Sequence, residues 1–250
     1  MTRKRRTSNE ILVGQSTKPN KKKKSITSNL LLDIEPLTAN QQKFFNSYKE
    51  GKNIFSYGSS GSGKTFISLY SALKEVLDER TPYEKVIILR STIQSFEIGF
   101  TPGNINEKIA PFESPYKYMV KYMFQLPTDD DFEFLYGNLK AEKLLDFMCV
   151  SFLRGTTFDN CILIIDEFQN LNYHLLSSVI TRVGSDCKIL FSGDSKQTDL
   201  IKTNDRQGLH DFMRVLNIMP SIDMIEFTID DVVRSGLVKE FLIAEHTIGI

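Results

Sequence analysis

The stretch Asn53-Ile54-Phe55-Ser56-Tyr57-Gly58-Ser59-Ser60-Gly61-Ser62-Gly63-Lys64-Thr65-Phe66 decides how the rest of the chain is read. Gly58, Gly63, Lys64 and Thr65 fill the fixed positions of G-x-x-x-x-G-K-[ST]. In such a loop the backbone N–H groups cradle phosphates, the lysine reaches the β and γ phosphates, and the hydroxyl faces Mg²⁺. A backbone wrapped closely around a polyanion has little room for Cβ atoms, and glycine at 58, 61 and 63 removes three of them. Ser59, Ser60 and Ser62 complete the cradle. Ile54, Phe55 and Tyr57 predict a strand leading in, and Phe66, Ile67, Leu69, Tyr70, Leu73, Val76 and Leu77 recur at helical spacing behind it. A helix opening at Lys64 aims its unpaired N–H groups and positive dipole end at the phosphates. A Gly/Ser linker that matched by chance would have neither flanking element.

Downstream, Cys161 to Ile165 is a fully apolar strand ending in Asp166-Glu167. Two acids after a strand say little by themselves, but paired with an upstream phosphate loop they form a Walker B element. Asp166 and Thr65 then hold Mg²⁺, and Glu167 orients the attacking water. Lys188 to Ser192 predicts a further strand, ending at Gly193, Asp194 and Gln197. Gln197 at that tip can sense the γ-phosphate; its alternative is an ordinary turn residue. Gln41, on a short helix expected over 39–48 and capped by Thr38, has the donor and acceptor that match the N6 and N7 edge of adenine. An exposed polar helix face is the competing reading there.

With 41% hydrophobic residues among 250, the chain can bury one full core. Cys149, Cys161 and Cys187 stand isolated among apolar neighbours, so they read as reduced core residues in a cytoplasmic protein. The apolar run at 162–165 is far too short for a membrane span. His174, His210 and His246 have no metal-ligand spacing and read as structural. The formal net charge of zero hides an asymmetry: residues 1–24 carry nine Lys and Arg against Glu10 alone, so the remainder carries eight net negative charges. Residues 1–35 are expected as a basic, disordered tail, able to hold nucleic acid phosphates or merely to solubilise the chain. Residues 36–250 are expected to form a single domain.

Between the two nucleotide motifs, Val86 to Leu89 reads as a buried parallel strand ending at Arg90. Residues 95–138, broken by Gly99, Pro102, Gly103, Pro111, Pro115 and Pro127, read as an insertion over the sheet with one helical stretch at 116–124. Tyr116, Tyr118, Tyr122 and Phe124 there suit either packing or base stacking. A helical pattern at 141–145 and a strand at 147–150 follow. Leu175, Leu176, Val179, Ile180 and Val183 mark an amphipathic helix, Met224 to Thr228 a last strand, and Asp230 to Ser235 the entry to a final helix.

Taken together, Gly58 to Thr65, Leu153-Arg154-Gly155, Ile164 to Asn170, Thr181 to Gly184, Ser192-Gly193-Asp194 with Gln197, Asp199 and Leu200, and Asp231-Val232-Val233-Arg234 resemble the PhoH family of ATPases over about residues 36–246. That family is similar to the RecA-like core of superfamily one helicases. Thr156, Phe168 and Ser91 depart from its usual residues, and the 35 residues before the core are too few for the nuclease domain of its larger members. The resemblance implies a three-layer α/β, RecA-like P-loop NTPase core with a mostly parallel sheet, and Mg²⁺-dependent ATP hydrolysis coupled to RNA or single-stranded DNA. It also implies adenine reading by Gln41, sensing by Gln197, and an arginine near phosphate or partner in Arg234. A nucleotide-gated assembly module with slow hydrolysis is the alternative. A single lobe implies that a neighbouring subunit completes the cleft in a ring-shaped homo-oligomer, such as a hexamer, with Arg234, Arg182 or Arg154 acting in trans.

Overall fold

Among the described residues six short strands form one sheet: β1 (Asn53–Gly58), β2 (Lys85–Arg90), β3 (Leu145–Cys149), β4 (Cys161–Asp166), β5 (Cys187–Ser192) and β6 (Ile222–Phe227). Their order is β3-β2-β4-β5-β1-β6, and every neighbouring pair is parallel. The computed structural model describes residues 26–90, 105–150, 153, 155–194 and 203–248, with the side chains of 105–109, 203–206 and 246 excepted.

Alternation along each strand divides the core in two. Ile54, Val86, Ile88, Ile162, Ile164 and Leu190 face one way, against α1 (Ala39–Lys49), α2 (Lys64–Val76), α3 (Ile105–Phe124) and α4 (Asp129–Ala141). Phe55, Ile87, Leu89, Leu163, Ile165 and Phe191 face the other way, against α5 (Tyr173–Ile180) and α6 (Thr203–Asn217). α7 (Gly236–Ile248) ends the described chain. This is the expected three-layer α/β core, and among the described residues its sheet is wholly parallel. Both faces being covered explains why β2, β4 and β5 read as continuous apolar runs.

Several expectations are corrected. Residues 26–35 do not belong to a disordered tail: Ile26 and Leu31 are buried in the core, Leu32 N donates to Met123 O at 2.8 Å, and Ile34 N donates to the Tyr70 hydroxyl. The helix expected at 141–145 instead occupies Asp129–Ala141, started by Thr128, whose hydroxyl accepts from Asp131 N, and by three acids in the first turn. Leu145 already belongs to β3. The helical stretch at 116–124 begins at Ile105 and runs through Pro111 and Pro115. These prolines lie four residues apart, so the donors missing from the ladder fall on one face. Cys161 and Cys187 are not isolated: they are register partners on β4 and β5, with sulfurs 3.7 Å apart and both thiols free. Among the described residues no helix is long and apolar enough to cross a membrane.

Candidate nucleotide site

The phosphate loop leaves the carboxyl end of β1 and turns directly into α2. Gly58 has φ +107°, and a Cβ there would collide with the Phe227 carbonyl oxygen of β6, so only glycine fits. Ser59 N donates to that same carbonyl at 2.8 Å, which pins the loop to the neighbouring strand. Inside the loop the Ser62 hydroxyl donates to Ser59 O at 2.8 Å. The Lys64 ammonium donates to Gly58 O at 2.9 Å, Ser59 O at 2.7 Å and Ser62 Oγ at 3.2 Å. It is curled onto the loop carbonyls, near where phosphate oxygens would lie. Burial pushes its pKa down to about 8, against the upward pull of Asp194, Asp166, Glu167 and Asp231.

The second motif arrives from β4. Thr65 Oγ1 donates to Asp166 Oδ1 at 2.7 Å and lies 2.9 Å from the Ser192 hydroxyl at the end of β5. With the Thr65 proton given to Asp166, Ser192 supplies the proton of the second bond. Asp166 Oδ2 accepts from the buried Tyr116 hydroxyl of α3 at 2.6 Å. Glu167 follows in the left-handed region, φ +54° and ψ +41°, a conformation that a non-glycine residue keeps only where its surroundings enforce it. The Gln169 amide holds the carboxylate: its Nε2 donates to Glu167 Oε2 at 2.6 Å while its Oε1 accepts from Asp194 N at 3.1 Å. Burial, and then the charge on Asp166, raises the Glu167 carboxyl above its ordinary pKa; Gln169, Arg90 and Lys64 oppose the rise.

The chain's late segment closes over the loop. Val233 N donates to Gly61 O at 3.1 Å, and a Cβ on Gly61 would come within 2.8 Å of Arg234 Cγ. The aliphatic stem of Arg234 therefore lies against the phosphate loop of its own chain. Arg182 is occupied, donating to Leu153 O, Ser178 O and Ser178 Oγ. Gln41 is buried, with Oε1 accepting from Leu37 N at 2.8 Å and Nε2 donating to Ser62 O at 3.0 Å. Arg154 and Gln197 lie outside the described residues.

An open cleft of about 750 Å³ runs along these groups, with Ser60, Lys64 and Thr65 at its floor and Arg90, Asp166, Glu167 and Asp194 beside them. A hollow of about 830 Å³ between α6 and β6 contains none of the motif residues. Tyr116, expected only to pack or to stack on bases, instead bonds to Asp166, while Gln169 and Ser192 stood in the sequence as motif members with no role of their own.

A family model described as PhoH-like protein matches residues 33–245. The PhoH-like protein of Mycobacterium leprae (strain TN) is 27% identical over 223 residues, covering 87% of this chain and 61% of that protein. Protein PhoH of Escherichia coli (strain K12) is 28% identical over 216 residues, covering 84% and 58%. The chain thus spans about three fifths of the length of these relatives. Among solved structures, the large terminase from a thermophilic bacteriophage in complex with ADP is similar at TM-score 0.46 and 16% identity, covering 82% of this chain and 49% of that one. The phosphate loop, the acids at the end of β4 and a family match over most of the chain agree: the chain belongs to the family of PhoH-like proteins.

Proposed function

We propose that the chain hydrolyses ATP with Mg²⁺ and couples that cycle to RNA or single-stranded DNA. The observation that carries the hydrolytic half is the convergence of Lys64, Thr65, Asp166 and Glu167 in one cleft, with Thr65 and Asp166 joined at 2.7 Å. A hydroxyl and one carboxylate are hard oxygen donors that suit an ion which otherwise leans on phosphates and water. Thr65 and Asp166 would hold the Mg²⁺, which would supply charge neutralisation to the phosphates. Lys64 would exchange the loop carbonyls for phosphate oxygens, and Glu167 would orient the attacking water. Gln197 is proposed as the γ-phosphate sensor, and Arg234 as an arginine that reaches the phosphates in cis. The nucleic acid half rests on the basic clusters of residues 1–24. A ring-shaped homo-oligomer, such as a hexamer, would cover the open side of the cleft; sedimentation with ATP present tests it.

The decisive measurement is steady-state ATP turnover beside nucleotide binding. Glu167→Gln is expected to bind ATP like the parent chain and to lose at least about a hundredfold in turnover, whereas Lys64→Ala loses binding. Near-parental turnover in Glu167→Gln would remove Glu167 from its role. Coupling predicts that single-stranded RNA or DNA raises turnover. Deleting residues 1–24 should weaken nucleic acid binding and flatten its salt dependence while leaving ATP affinity alone. A chain that binds ATP and ignores nucleic acid is a nucleotide-gated assembly module instead.

A further inference from the structure

We propose that the base of the bound nucleotide sits in an apolar slot between the Tyr118–Tyr122 face of α3 and the segment ending at Leu37, held by stacking, with Gln41 as a brace of that slot. This rests on the phosphate loop being a nucleotide site, and adds where the base goes and how it is selected.

The cleft that holds Lys64 and Thr65 continues without a break along Ile34, Leu37, Tyr118 and Tyr122. A nucleotide whose phosphates lie on the loop must direct its base along such a continuation. On α3, Pro115, Tyr118, Met119 and Tyr122 follow the i, i+3, i+4, i+7 pattern and all line the cleft, while Val120 and Met123 turn into the core and the buried Tyr116 ring extends its hydroxyl to Asp166. Tyr118 and Tyr122 remain 70% and 59% exposed, and Leu37, on the lining of the same cleft, remains 75% exposed. Two aromatic rings and a leucine left exposed along one cleft are what a planar, sparingly hydrated base would cover. The platform is also registered to the loop. Tyr122 meets Phe66 edge to face at 5.7 Å between ring centres, and Phe66 directly follows Thr65.

Gln41 is only 3% exposed and both ends of its amide are engaged. Each end of the amide has already made one of its two hydrogen bonds, and at 3% exposure little of its remaining edge is open to the cleft. As it stands, one side chain fixes the leucine wall of the slot to the phosphate loop. Stacking does not read hydrogen-bonding edges, so the slot should prefer purines to pyrimidines and discriminate weakly between adenine and guanine.

Calorimetric titration of the full chain with ATP, GTP, CTP and inorganic tripolyphosphate tests this. In a Tyr118→Ala/Tyr122→Ala double variant, ATP and GTP should weaken about tenfold to a hundredfold while tripolyphosphate is unchanged, and the corresponding double Phe variant should bind like the parent. Gln41→Ala should weaken ATP and GTP alike. Parental ATP affinity in the Ala double variant overturns the proposal. So does a loss confined to single-stranded oligonucleotides, which would give the rings to nucleic acid bases. A Gln41→Ala loss specific to ATP over GTP overturns the brace and restores the reader. Failure of the parent chain to bind both ATP and tripolyphosphate would instead refute the nucleotide reading of the loop.

Discussion

Asp231 accepts from Asn40 Nδ2 at 2.7 Å and from Thr228 N at 2.8 Å, tying the segment that carries Val233 and Arg234 to α1. Burial alone would raise this carboxyl, but hydrogen bonds from Thr38, Asn40 and Thr228 outweigh it and hold the pKa below its ordinary value. A carboxylate depressed in the folded chain contributes stability above the unfolded value of about 3.9, and that contribution disappears as pH falls through the folded value. Asp231→Asn is therefore expected to be about 1–3 kcal/mol less stable near neutrality. The gap should close as pH drops below about 4. Urea unfolding from pH 7 to pH 3 measures it, and a gap that stays constant to pH 3 would mean that the charge on Asp231 contributes nothing.

At the scale of elements, α3 is what joins the insertion to the chemistry. Its Tyr116 ring packs on Phe147 at 5.5 Å between centres, and its hydroxyl reaches Asp166. Tyr116→Phe keeps the ring and removes one of the two donors on Asp166. The expected result is a melting temperature lower by a few degrees together with about a tenfold higher Mg²⁺ requirement for turnover, the scale of one hydrogen bond to a charged group. An unaltered Mg²⁺ profile would reduce Tyr116 to packing. Much of this layer was legible in the sequence: Thr38 caps α1 as expected, and the apolar runs of β2, β4 and β5 announce strands buried on both faces. α4 was not, because Pro127 and Gly137 look like punctuation while the Thr128 cap and its three following acids carry the start signal. α6 was passed over although Leu209, Phe212 and Leu216 have helical spacing. The bonds from Tyr116 to Asp166 and from Gln169 to Asp194 join positions far apart in the chain, and no local pattern encodes them.

Across the whole molecule, the loop is gripped from both ends of the core, by Gln41 before it and by Val233 and Arg234 long after it. With Arg234 lying on its own loop, Arg234→Ala should lose about tenfold or more in turnover, and mixing it with Lys64→Ala should restore nothing, since both defects fall in one chain's site. Recovery of activity in the mixture would hand Arg234 to a neighbouring subunit. The strand order adds a consequence for biosynthesis. β1 is translated early, yet its two partners, β5 and β6, are the last strands to be made. While the ribosome is still working, the glycine-rich loop hangs from a strand whose β5 edge stays bare until residue 192 has emerged and whose β6 edge stays bare until residue 227 has. Nucleotide can therefore stabilise the nascent chain only once β5 and β6 have paired with β1, and ATP present before that point should protect it from proteolysis no better than no ATP.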